Sequence, residues 1–175
     1  QTAYLKAHYP AEFMAALLSR NLTNMDKLTN FMDEARKMKI RVLGPDVNKS
    51  IHTFSADKDG NIRFGMAGIK GIGENAVNSV IQEREANGIY KDVFDFIERV
   101  NLTTVNKKGI ESLVGSGAFD CFQEVTRGTF AVDLGKGETF ADILLRYGNK
   151  FQKNSSDAST SLFGGDAAVQ TARPM

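Results

Sequence analysis

Residues 68–85 read GIKGIGENAVNSVIQERE, and the reading of the three glycines at its head decides the fold. Gly71 and Gly73 permit positive φ and carry no Cβ, so consecutive backbone N–H groups can converge there on one anion. Ala76, Val77, Val80 and Ile81 then recur on one face, which predicts a helix from Asn75 to about Glu85 with Gly88 as its C′ residue. The positive end of that helix points back at the glycines. Ile72, between them, is expected to plug the turn into the core, and Ala76 is small enough for close helix packing.

A short apolar stretch, FGMAGI at 64–69, precedes the turn, so the whole has the plan of a helix-hairpin-helix. Rival phosphate motifs fail on spacing. A Walker loop needs Lys-Ser or Lys-Thr after its last glycine, whereas Gly73 is followed by Glu74-Asn75. GIKGIG is not G-x-G-x-x-G, and no clear βαβ unit surrounds it. Spacing alone leaves two readings open: a grip on a DNA backbone phosphate by Lys70, Gly71, Ile72, Gly73, Glu74 and Asn75, or a tight interhelical turn in a structural bundle. Glu74 is adverse beside a phosphate unless its side chain points away. Arg63, Lys70, Lys107 and Lys108 are candidates for charge-assisted contacts, set against the plain reading of solvated surface cations.

Working outward, DVFDFIERV (92–100), NLTTVN (101–106) and KKGIESLVGSG (107–117) read as two more helices joined by a hairpin-length loop without the glycine core. This is either a degenerate second copy or a plain helical pair completing the core. Two such units would place two sites along one duplex, a grip independent of sequence.

On the N-terminal side, QTAYLKAHYPAEFMAALLSR reads as a helix already under way at Gln1, the expected look of a piece of a longer protein. Pro10 suits a first helical position, and Phe13, Met14, Leu17 and Leu18 form an apolar stripe. Asn24 caps a further helix with Leu28, Phe31, Met32 and Ala35 on one face. KIRVL is a short extended candidate before Gly44-Pro45. Two alternating runs flank Asp59-Gly60 and predict a small β-hairpin. Asp57 and Asp59 fit that turn better than they fit a metal site. ADILLRYGNKFQ (141–152) is a candidate last helix, and the small, polar stretch 153–175 is expected to be disordered.

The expected fold is mainly α: a helical bundle with a tandem helix-hairpin-helix, a small β-hairpin and a disordered C-terminal tail.

Composition narrows the function classes. The net charge is +1, and it is evenly spread: 9 basic against 7 acidic residues in 1–59, 7 against 8 in 60–120, and 6 against 6 beyond. Bulk positive charge, the usual footprint of strong non-specific nucleic-acid binding, is absent, so any contact with nucleic acid must be local. No apolar run approaches the ~20 residues that span a bilayer. Cys121 is the single cysteine and, with His8 and His52 scattered, makes no metal-ligand set; a reducing cytoplasm is the expected location. A DNA repair enzyme built on the same hairpin would need a flipped-base pocket rich in aromatics and a catalytic acid; there is no tryptophan and no convincing acid. A structural helical adaptor is the other competing class.

Four ordered segments, AYLKAHYPAEFMAALLS, VLGPDVNKS, IRFGMAGIKGIGENAV and LVGSGAFD, resemble the bacterial DNA polymerase III alpha subunits, the C-family replicative polymerases, over residues 1 to 122. The resemblance implies that 1–50 belong to the C-terminal part of the fingers and 51–65 to a β-hairpin connector. It makes 66–122 a tandem helix-hairpin-helix domain on duplex DNA, followed by a helical extension over 123–152 and a linker over 153–175. Gly44 stands where the family commonly has proline. The polymerase's metal-binding aspartates lie in a palm upstream, so this segment is expected to be non-catalytic, to hold no metal or other cofactor, and to serve a magnesium-using active site elsewhere. Ser159, Ser161, Leu162 and Phe163, in STSLF, are similar to the motif by which such polymerases dock on the sliding clamp, with Ser159 where the family favours glutamine. The implied partners are double-stranded DNA, the clamp and other subunits of the holoenzyme, and no membrane.

Overall fold

The computed structural model describes residues 2–131, 137–160 and 172–174. The opening helix is broken once. Tyr9, driven out of the helical region by the proline that follows it, separates α1 (Thr2–His8) from α2 (Pro10–Arg20), which starts with Pro10 in its first turn. Helix α3 (Met25–Lys37) follows, with the Asn24 side chain accepting from the Lys27 N–H at 3.1 Å as its N-cap.

KIRVL yields a two-residue strand, β1 (Val42–Leu43). The Asp59-Gly60 turn joins β2 (Ser55–Ala56) to β3 (Ile62–Arg63) as an antiparallel hairpin. Gly60 has φ +75°, and the Asp57 carboxylate accepts from the N–H groups of Asp59 and Asn61, both at 2.9 Å. Those bonds to Asn61 and Asp59 hold its pKa below the ordinary carboxylate value. Sequence did not reveal the pairing of β1 parallel to β3, which makes a three-stranded sheet of order β1-β3-β2. Met14, Leu18, Leu28, Ala35, Ile40, Phe54 and Ile62 form one core between α2, α3 and this sheet.

The second core belongs to the helices after the sheet. A single 3-10 turn (Met66–Gly68) stands where a first hairpin helix was expected, and α4 (Glu74–Asn87) follows the glycines. Helices α5 (Val93–Arg99) and α6 (Lys107–Ser116) form the second pair, and α7 (Arg127–Ala131) and α8 (Phe140–Thr160) close over them. Val77, Val80, Phe96, Ile97, Ile110, Leu113, Phe119 and Leu144 are among the residues buried together there. Phe64 packs against both cores, stacking obliquely on Phe54 with ring centroids 4.6 Å apart.

Residues 45–50 stitch the second core to the strands. Asn48 pairs with Tyr90 in both directions, its amide donating to the Tyr90 carbonyl and its oxygen accepting from the Tyr90 N–H, each at 2.8 Å. Arg84 donates to the carbonyls of Val47 and Ser50 at 2.8 Å, and the buried Ser50 hydroxyl donates to Phe64 O. Arg99 then ties α4 to α5: it reaches Glu83 and Asp95, donates to the carbonyls past the end of α4 at Gly88 and Ile89, and lies 4.6 Å over the Tyr90 ring.

At the start of helix α8 the Thr139 N–H and hydroxyl both donate to the Asp142 carboxylate, which also accepts from Lys107 Nζ at 2.7 Å. Lys107 foremost, and then Thr139, hold the Asp142 carboxyl down at about 2. Gly148 lets α8 touch α5: a Cβ there would stand 2.3 Å from Ile97 Cγ2. The helix runs on to Thr160, so residues 153–160, expected in the tail, continue it; Ser155 back-bonds to the Phe151 carbonyl within it. Residues 161–171 lie outside the described residues, but Arg173 is placed against α5, pairing with Asp92 and Glu98 and lying 5.4 Å over the Phe94 ring.

Candidate nucleic-acid interface

The 3-10 turn delivers Ile69 into the core and leaves Lys70, Gly71, Gly73, Glu74 and Asn75 exposed, with Ile72 half-buried against the core as its position between glycines predicts. The two hairpin glycines are held for different reasons. Gly71 has φ +95°, and a Cβ on it would lie 2.5 Å from Ser112 Oγ, so the turn and its approach to α6 both require glycine. Gly73 is the N-cap of α4 with φ −80° and ψ 154°, ordinary extended backbone; here the expectation of positive φ does not hold. A Cβ on Gly73 would meet nothing within 4 Å. Its emptiness faces outward.

Gly73 supplies no side-chain cap. The first helical bond is Val77 N–H to Gly73 O at 3.1 Å, and the N–H groups of Glu74 and Asn75 have no partner among the described residues. Helix α4, 14 residues long, therefore presents its positive end and at least two free donors beside a space without side chains. The second hairpin is built otherwise. Asn106 caps α6 by accepting from the Gly109 N–H at 3.0 Å, where the equivalent Ala76 N–H of α4 meets no side-chain cap, and Asn101 accepts from the Thr103 N–H within the loop.

Of the candidate cations, Lys70 and Lys108 stand at the first hairpin. Lys70 lines an open groove of about 520 Å3 with Pro45, Phe64, Ser112 and Ser116. Lys108 Cε lies 3.6 Å from where a Gly71 Cβ would be. Neither forms an ion pair among the described residues. Lys107, by contrast, is committed to Asp142, with Glu111 at 3.9 Å, and its pKa is raised by the Asp142 bond. Arg63 is engaged on the sheet, donating to Gly44 O at 3.1 Å. Ser159 sits in α8, while Ser161, Leu162 and Phe163 lie outside the described residues.

Two further features had no signal in the sequence, because each joins residues distant along the chain. One is an open polar groove of about 630 Å3 between α4 and the second hairpin, lined by Asn75, Asn78 and Gln82 on one side and Asn101 on the other. It sets amide side chains from both hairpin units along one channel. The other is His52, whose Nε2 lies 3.7 Å from Glu74 Oε1. Among the described residues no group of three or more His, Cys, Asp or Glu side chains is placed to hold a metal ion. No described helix is long and apolar enough to cross a membrane.

The glycine turn, the uncapped helix behind it and the second helical pair define a helix-hairpin-helix protein, and residues 39–129 match the family model described as "Helix-hairpin-helix motif". The chain belongs to that family. More particularly, it is similar to DNA polymerase III subunit alpha from several bacteria: 46% identical over 120 residues to that of Pasteurella multocida, covering 69% of this chain and 10% of the relative. The subunit of Chlamydia trachomatis is 46% identical over 122 residues, 70% of this chain and 10% of its own length. That of Haemophilus influenzae is 38% identical over 164 residues, 94% of this chain and 14% of its own length. The chain thus spans about a tenth of the length of the curated relatives it matches.

Proposed function

We propose that this chain is the segment of a DNA polymerase III alpha subunit that grips the backbone of duplex DNA without regard to sequence, supporting DNA-directed synthesis by a palm elsewhere. The observation that carries the reading is the uncapped start of α4 beside Gly73. Free N–H groups, a helix dipole and a space without side chains are what a phosphate oxygen needs, and the near-neutral chain offers no other strong attraction for nucleic acid. Lys70 and Lys108 flank that point and add local charge, and the amide-lined groove continues it toward the second hairpin. The segment itself carries out no chemistry in this reading, and the magnesium ions such polymerases use belong with the palm.

A second element of the reading is tethering to the sliding clamp, and through it to the holoenzyme, by Ser159–Phe163. Leu162 and Phe163 supply two apolar anchors beyond the end of α8, the kind of short motif that fills a pocket at modest affinity.

Titration of labelled duplex at several salt concentrations tests the DNA role. Binding is expected to be weak, with a shallow salt slope equivalent to about two neutralised phosphates. Absence of binding even at low salt removes the DNA role; retention of clamp binding in that case favours a structural adaptor. Replacing Leu162 and Phe163 by alanine is expected to abolish clamp binding and leave duplex affinity unchanged.

A further inference from the structure

The N-terminal end of α4 carries a carboxylate that ought to spoil it. Glu74 is the first helical residue, and a flexible acid at that position is drawn to the same positive end and the same N–H groups that a phosphate would use. Resting over Gly73, it would both occupy the donors and repel the incoming anion. The structure gives it another partner. His52 Nε2 is shut off from solvent and has no hydrogen-bond partner among the described residues, and the acid facing it is Glu74, with Oε1 3.7 Å away. A buried, unmatched ring nitrogen is costly, so a small movement of the exposed Glu74 side chain onto it is favourable.

His52 is also well anchored for this. Its carbonyl accepts from the Ala67 N–H at 3.0 Å, and the carbonyl of Ile51 accepts from the Met66 N–H at 2.9 Å. The backbone of His52 is therefore tied to the same 3-10 turn that leads into the glycine hairpin.

We infer that His52 is a positioning residue for the hairpin: its Nε2–H draws the Glu74 carboxylate aside and keeps the N–H groups of Glu74 and Asn75 open to phosphate. The inference rests on the duplex-binding reading above. It acts through Glu74 alone, which makes it separable from any structural role of His52.

The test is a double-mutant cycle on the whole 175-residue chain with labelled duplex DNA at low salt as the probe, thermal melting being followed in parallel. His52→Ala is expected to weaken duplex binding about fivefold, whereas Glu74→Gln alone, which keeps the backbone donor and removes the competing carboxylate, is expected to strengthen it by up to about twofold. Adding Glu74→Gln to His52→Ala is expected to restore affinity to within about twofold of the original chain, and His52→Gln, which keeps a donor, to bind like the original. A structural role would not be rescued by removing Glu74. Should His52→Ala not fold, His52→Leu fills the space without a donor and takes its place in the cycle. Unchanged binding by the donor-less variant, or a loss that Glu74→Gln does not repair, overturns the inference. If the original chain binds no duplex, the duplex-binding reading itself fails, a result plainly different from either.

Discussion

Gly71 and Gly73 stand two residues apart in one turn, and the geometry separates what each contributes. Gly71→Ala forces a Cβ into left-handed backbone and toward Ser112, a cost of about 1–2 kcal/mol that thermal or urea melting will show. Gly73→Leu enters ordinary backbone and open space, so the variant is expected to melt like the original. Its side chain would nevertheless cover the free N–H groups, and duplex affinity is expected to fall about tenfold, the value of one charge-assisted hydrogen bond. Retained affinity in a folded Gly73→Leu would count against a backbone grip. The need for glycine at Gly71 was legible in the spacing, but the setting of Gly73 was not: positive φ is a property of local sequence, whereas empty space outside a helix end is a property of everything that did not pack there. His52 escaped for the same cause. A single histidine 22 residues before the acid it faces leaves no pattern in the chain.

At the level of elements, helices announced themselves through apolar stripes and, at Asn24, a legible cap; in the structure Asp92 and Asn106 cap in the same way, each of the three accepting from the third N–H beyond it. The sheet was half visible, since Asp59-Gly60 marks the hairpin but nothing local tells β1 to lie parallel to β3. The length of α8 was underestimated because its last turns, NSSDAST, are mostly weak helix formers. Two predictions belong here. Gly148→Ala is expected to cost about 1–3 kcal/mol, measured by denaturant melting, because the added Cβ overlaps Ile97 and Leu102 where α8 crosses α5. The Asp142 cap gives an acid dependence of definite sign. With its carboxyl held at about 2 against an ordinary value of 3.8, its contribution is fully present above pH 4 and is lost as the pH falls toward 2. Melting temperatures recorded from pH 6 down to pH 2 are therefore expected to converge for the original chain and Asp142→Asn; a gap that persists unchanged at the acid end would disagree with this.

Taken whole, the molecule is two cores joined by a clasp. One core packs the first three helices on the sheet, the other gathers α4 to α8, and Phe64 together with the Asn48–Tyr90 pairing holds them in register. Composition and the ordered segments made the class of fold readable, but a clasp between residues 42 apart is written in no local pattern. The even charge has its consequence at this scale too: on the proposed reading, affinity for DNA comes from fixed donors at one end of one helix, with other parts of a larger assembly supplying the rest of the attraction. The most direct test of that claim is to follow the backbone amides themselves, by recording nitrogen–proton NMR spectra of the labelled chain as duplex DNA is added at low salt. The account predicts that the largest shifts fall on Gly71 to Asn75, with smaller ones at Lys108 and along the Asn78 groove, and little change at the Asn106 cap. Shifts confined to other surfaces, or none at the start of α4 while the duplex is bound, would contradict it.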